Sequence, residues 1–146
     1  MELDSIERIM MKTLLVSACL LGVACRWHAK KIAPSKAVAQ FLANHPGVKV
    51  IPVCPEELGG LPTPRPPVKT VRGRVYETVP DKELRASVTG KDVTDAFVAG
   101  AEATLAIAKK HCCKLAVLCA RSPSCAKSGI TGKLLEANGI TVVNLF

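Results

Sequence analysis

Three short apolar runs, Thr13 to Ala18, Val48 to Val53 and Lys114 to Cys119, restrict what this chain can fold into more than any other feature. Each is rich in β-branched and aliphatic residues and too short for a helix, which suits strands buried on both faces of a parallel sheet. Each also runs out toward a cysteine: Cys19 after the first, Cys54 after the second, and Cys125 at the end of Arg121-Ser122-Pro123-Ser124-Cys125 after the third. If the runs are parallel strands of one sheet, the three thiols emerge at one carboxyl edge, where open α/β sheets bind ligands.

Helical spacing fills the intervals. Ser35 can cap a helix over Lys36 to Ala43, with Val38, Phe41 and Leu42 on one face and Pro46-Gly47 as its stop. A longer helix is expected from Asp92 to Lys110. Asp92 and Asp95 resemble an acidic capping box, and small residues such as Gly100 and Ala101 would let the helix lie close on the sheet. A short helix over Gly132 to Asn138, closed by Gly139, precedes a fourth strand, Ile140 to Val143. Val68 to Val79, with Arg72-Gly73-Arg74 at its middle, reads as a hairpin or two short edge strands. The prolines from Pro62 to Pro67 should make a stiff loop able to wall a pocket and present Arg65. The expected fold is α/β: a three-layer α/β/α sandwich with a mostly parallel, Rossmann-like or flavodoxin-like sheet, right-handed crossovers and a small β-hairpin insertion. One domain is expected over residues 12–146, with residues 1–11 as an N-terminal extension.

Composition narrows the chemistry. At 146 residues and 49% hydrophobic content the chain can bury a core without disulfide staples. No apolar run is long enough to span a bilayer, and the leader is too polar for a signal peptide, so no membrane partner and a cytoplasmic location are expected. Seven cysteines in such a chain, an odd number, point to metal binding or thiol chemistry rather than a disulfide framework. The net charge of +8 would suit an anionic partner, nucleic acid included. The basic residues are scattered, however, and one Trp, one Tyr and three Phe offer little for base stacking, so a solvated basic surface is the favoured reading. Nothing in the sequence fixes an oligomeric state.

Thiolates are soft ligands suited to zinc or an iron-sulfur cluster, and three of them leave one metal position open. On spacing alone the alternative remains that they are unrelated small hydrophobes in a packed sheet. Cys25, six residues after Cys19, reads as a packed or neighbouring thiol rather than a ligand; Cys112 and Cys113 read as packing residues, and Cys119 as part of the buried strand. Glu56, two residues beyond Cys54, is a candidate general base or polar orienter, the alternative being a solvated loop acid or the first-turn acid of a short helix. His28, His45 and His111 have no recognisable pairing with a serine, and Gly129-Ile130-Thr131-Gly132 is too generic for a phosphate loop.

Several ordered motifs together carry a family resemblance. Val16-Ser17-Ala18-Cys19-Leu20-Leu21-Gly22, Cys25-Arg26, Pro52-Val53-Cys54-Pro55-Glu56, Gly59 through Pro67, Gly90-Lys91-Asp92-Val93-Thr94 and Arg121-Ser122-Pro123-Ser124-Cys125 resemble domain-of-unknown-function family 523, from about Lys12 to the C-terminus. That family includes thiouracil desulfidases, which hold a [4Fe-4S] cluster by three cysteines. The resemblance implies Cys19, Cys54 and Cys125 as the ligands and a thiolated nucleobase such as 2-thiouracil as the small-molecule substrate. It further implies a non-redox hydrolytic C–S cleavage in which an iron without a protein ligand acts as Lewis acid. Glu56 would then activate water or shuttle its proton, and Ser122 and Ser124 would orient the substrate. A zinc or cluster-binding module without catalysis, a sulfur carrier and a basic RNA-associated protein are the alternatives. The chain departs from the family pattern at Ala126, where glycine is usual, and in the short segment between Cys125 and the last helix.

Overall fold

A computed structural model describes residues 12–79, 88–120 and 122–145. The three apolar runs form β1 (Thr13–Ser17), β2 (Lys49–Val53) and β6 (Leu115–Cys119), and the fourth expected strand is β7 (Thr141–Leu145). They make one four-stranded sheet in the order β2-β1-β6-β7, and every pairing in it is parallel. Taken alone, these strands have the flavodoxin-like order, whose chain direction reverses beside the first strand and opens a crevice at the carboxyl ends of β1 and β6.

Burial explains why these runs occupy the middle of the sheet. Leu14, Leu15 and Val16 alternate between the two sheet faces and all three are fully buried, and every residue of β6 is buried as well. Both faces are therefore covered. Helix α1 (Lys36–Asn44) follows β1, whereas α3 (Thr94–Lys110) and α4 (Ile130–Ala137) lie between β2 and β7 in the chain. Right-handed crossovers put α1 on one face and the other two on the opposite face, and α3 and α4 do pack against each other. Ser35 caps α1 as expected, its hydroxyl accepting from the Val38 amide at 3.3 Å. Among the described residues no helix is long and apolar enough to cross a membrane.

The insertion is larger than a hairpin. Strands β3 (Val68–Val71), β4 (Arg74–Val79) and β5 (Val88–Asp92) form a separate antiparallel sheet in that order. Arg72 and Gly73, at φ of 50° and 79°, make the tight β3–β4 turn, and positive φ at both central positions is the twist that two-residue hairpins favour. Asp92 thus ends a strand and does not start the long helix. Its carboxylate still caps that helix, accepting from the Thr94 amide at 2.9 Å and the Thr94 hydroxyl at 2.6 Å. Hydrogen bonds from Arg74 first and Thr94 second hold this carboxyl down at about 2. Helix α4 also begins two residues earlier than expected. The extension 1–11, the segment Asp81 to Ser87 and Arg121 lie outside the described residues.

A second correction concerns the small face of α3. Gly100 does not meet the sheet; it meets α2 (Pro55–Leu58), the short helix that follows Cys54. A Cβ placed on Gly100 would lie 1.9 Å from the Pro55 carbonyl oxygen, and one on Gly59 would lie 2.0 Å from that of Ala96. Two glycines facing each other thus set how deeply the Cys54-Pro55-Glu56 segment seats. Gly100→Ala is expected to cost about 1–3 kcal/mol through overpacking, despite alanine's better helix propensity. Urea denaturation of the purified variant checks this, and an unchanged midpoint would mean that α2 is free to move aside.

Candidate functional site

Each of the three strand-end cysteines is placed by a different local device. Ser17 ends β1 and the chain turns at once into a single 3-10 turn, Ala18–Leu21, which carries Cys19 and closes at Gly22 in the left-handed region at φ 91°. Cys54 is the residue before α2, where Pro55 takes the first helical position. Cys125 sits in the turn after β6. That turn is moored to α4, whose Ile130, Thr131 and Gly132 amides donate to the Pro123 and Ser124 carbonyls at 3.3, 3.0 and 3.1 Å. Asn144 on β7 ties it from the other side, donating to the Cys125 carbonyl at 3.0 Å and accepting from the Lys127 amide at 2.8 Å.

All three cysteines line one pocket of about 220 Å³ at the carboxyl edge of the sheet, together with Glu56, Ser122, Arg65 and the segment from Cys25 to His28. Cys25 and Cys119 line it as well, so five thiols face one opening. Cys113 is buried in the core as expected, whereas Cys112 is exposed past the end of α3 at φ 54° and does not pack.

Burial and hydrogen bonding divide these thiols. The Cys19 thiol is held well below its usual range, chiefly by hydrogen bonds from Cys119 and Cys25, with Arg26 adding its charge. Cys54 is also lowered, by Cys25 and by the Glu57 amide at the start of α2. Cys25 lies between these two and has one proton to share, so it is held in the protonated form. Burial pushes the Cys125 thiol up to about 12 against the hydroxyls of Ser17 and Ser122, which favour its thiolate. Soft, deprotonation-ready sulfur thus stands beside a desolvated thiol with hydroxyl donors already in place.

Arg65 organises the wall. Its guanidinium bonds the Glu56 carboxylate through Nε at 2.6 Å and, more closely, through Nη2, and also donates to the Pro62 carbonyl, the Thr63 hydroxyl and the Cys25 carbonyl. Its own amide donates to the Trp27 carbonyl at 2.8 Å. Of the proline loop, Arg65 is the residue that lines the pocket, and its guanidinium and amide lock Glu56 and the Cys25–Trp27 segment together. Glu56 is a first-turn residue of α2 and also lines the pocket.

The two serines part company. Ser122 lines the pocket, and its hydroxyl oxygen accepts from the Ser124 and Cys125 amides at 3.1 Å each. Ser124 does not line the pocket. It is buried, with its hydroxyl 2.8 Å from that of Thr131, and supports the turn from behind. Ser17, Cys119 and Asn144 are not among the site residues that the sequence suggests. Ser17 lies on a strand that reads as uniformly apolar, yet it is buried, accepts from the Cys119 amide at 2.9 Å and reaches Cys125.

The donor set fits an iron-sulfur cluster: three thiols delivered from three strand ends to one lip, with a hydroxyl and a guanidinium near their sulfurs. Among the described residues no three His, Cys, Asp or Glu side chains are arranged to hold a single metal ion.

Comparison with known proteins agrees with this chemistry. The sequence profile of the 2-thiouracil desulfurase family matches residues 14–145. YbbK of Bacillus subtilis strain 168, an uncharacterized protein, is 33% identical over 137 residues, covering 90% of this chain and 88% of YbbK. Among solved structures, the [4Fe-4S]-dependent thiouracil desulfidase TudS is 30% identical and superposes with a TM-score of 0.71, over 91% of this chain and 90% of TudS.

Proposed function

The chain belongs to the 2-thiouracil desulfurase family, and from that membership we propose that it removes sulfur from a thiolated nucleobase such as 2-thiouracil by non-redox hydrolysis. The observation that carries the reading is the convergence of Cys19, Cys54 and Cys125 with Glu56 and Ser122 on one pocket. Cys19, Cys54 and Cys125 would hold a [4Fe-4S] cluster. When bound, a cluster with three protein thiolates supplies a soft Lewis acid at the iron left without a protein ligand.

The chain's own residues supply the rest. Glu56 is the pocket's carboxylate and takes the proton of the attacking water, then returns it to the departing sulfur. Arg65 fixes the Glu56 rotamer by a two-nitrogen contact, so the carboxylate is aimed before substrate arrives. Ser122 has both amides of its own turn bonded to its oxygen, which leaves the hydroxyl proton to be donated toward sulfur in the pocket. Arg26 and the thiol of Cys25 place positive charge and a proton beside the Cys19 sulfur, which offsets the negative charge that three thiolates concentrate there. Ser124 acts only through the turn that carries Cys125.

Anaerobically purified protein carrying about four irons per chain is expected to convert 2-thiouracil to uracil and release sulfide in equal amounts. Iron-loaded protein that does neither would overturn the reading. Glu56→Gln keeps the shape of the side chain and removes its basicity, so kcat should fall by about 10²-fold or more with iron content unchanged. Undiminished turnover would remove Glu56 from proton transfer.

A further inference from the structure

The segment from Cys25 to His28 is held by its backbone while one of its side chains is left idle. Arg65 grips the Cys25 carbonyl with Nη2 at 2.9 Å and donates its own amide to the Trp27 carbonyl at 2.8 Å. Arg26 reaches across to Cys119 at 3.7 Å, and the Ala29 amide closes a turn on the Arg26 carbonyl at 2.9 Å. Residue 27 is thus fixed on both sides, yet Trp27 is 48% exposed and lines the pocket. His28 meets it in a T-shaped arrangement, with ring centroids 5.1 Å apart at 67°, so that its imidazole is not stacked parallel on the indole. Rigid backbone beneath a large uncovered ring at the mouth of a mostly apolar pocket is what a flat ligand needs in order to stack without an ordering cost. Beside it, the Arg26 Nε is buried with no hydrogen-bond partner in the described structure, and a buried donor of that kind calls for an acceptor.

We propose that Trp27 is the stacking wall for the planar ring of the substrate, with the Arg26 Nε–H donating to a ring carbonyl oxygen. The assignment rests on the desulfidase reading for the identity of the ring, and it adds a specificity determinant: flat heterocycles bearing a carbonyl are accepted, and non-planar thioamides are not. Trp27 touches substrate without taking part in bond making, so it governs binding more than turnover.

Trp27 is the chain's one tryptophan, so its fluorescence reports this contact directly. Cluster-loaded protein is titrated with uracil under excitation at the red edge of the indole band, where uracil does not absorb, and a saturable change in emission is expected. In Trp27→Ala the KM for 2-thiouracil should rise about tenfold, the scale of a lost base–aromatic stack, while kcat holds within about twofold. Trp27→Phe should recover most of the loss, which a merely structural role would not require. Equilibrium dialysis against labelled uracil gives the same ranking of wild type, Trp27→Phe and Trp27→Ala without turnover. Unchanged emission, or a Trp27→Ala protein with wild-type KM and uracil affinity, would overturn the proposal while leaving the desulfidase reading intact. If cluster-loaded protein fails to desulfurise 2-thiouracil, yet uracil shifts the emission and Trp27→Ala abolishes uracil binding, the stacking wall stands and the reaction is the part that fails.

Discussion

Replacing Cys54 by serine, or either of its proposed co-ligands Cys19 and Cys125, is expected to bring the iron content from about four per chain to below about one, with loss of the visible absorption of a thiolate-ligated cluster and of all turnover. Serine is nearly the same shape, so the fold should survive; its hydroxyl is a hard, weakly acidic ligand that iron in such a cluster does not favour. The comparison that gives the experiment its force lies within the pocket itself. Five thiols line it, and only three should behave this way. Cys25→Ser and Cys119→Ser should retain iron because each acts on Cys19 from outside the ligand set, as a hydrogen-bond donor. Cys112→Ser, on an exposed residue past the end of α3, should retain both iron and activity. Iron and full activity in Cys125→Ser would remove that residue from the ligand set, and loss of iron in Cys25→Ser would add a fourth sulfur to it.

Arg65→Met should be the most destabilising single change at the site, by about 3–5 kcal/mol, because it strands a partly buried carboxylate. The side chains of Arg65 and Glu56 are 6% and 14% exposed, and the guanidinium also serves two carbonyls and a hydroxyl. Removing it leaves those acceptors unsatisfied in a place water reaches poorly. Combining Arg65→Met with Glu56→Gln relieves the stranded charge, so the double variant should lose less than the sum of the singles by about 1 kcal/mol or more. Urea denaturation of the four proteins closes the cycle. Strict additivity would mean that the two residues stabilise the fold independently, contrary to the geometry.

The sheet was legible in the sequence because its strands are buried on both faces. A continuous apolar run such as Leu115 to Cys119 has no other comfortable place in a chain of this size. The convergence of the three cysteines followed from the same logic, since parallel strands share an edge. Other features were hidden for specific physical reasons. Gly90-Lys91-Asp92 carries neither β-branched residues nor alternation, and its strand exists because β4 provides an edge to pair with. Asp92 looked like a helix start because a carboxylate placed to accept Thr94's amide and hydroxyl does cap a helix, one residue outside it. Ser17 lies inside an apolar run that gives its hydroxyl no visible partner, and only the pairing of β1 with β6 brings it to the Cys119 amide. Gly100 was recognised as a close-contact residue, but its partner lies in a helix of four residues that no periodicity could announce. Arg65 is presented to the pocket as the sequence suggests, but that its guanidinium is already engaged by Glu56 and two backbone carbonyls is decided by tertiary contacts alone.

The pairing of β1 with β6 also sets a timetable. β1 and β2 lie between Thr13 and Val53, whereas β6 begins only at Leu115 and so leaves the ribosome well after them. Contacts across so long a stretch form late, after the loop between them has closed. Iron and sulfide offered to the growing polypeptide would meet at most two of the three thiols, held by a sheet whose central gap is still unfilled. Completion of the three-thiol set must therefore follow the docking of β6 on β1, so the apoprotein has to stand on its own core while it waits, with Cys19 and Cys125 already buried in the wall of the pocket.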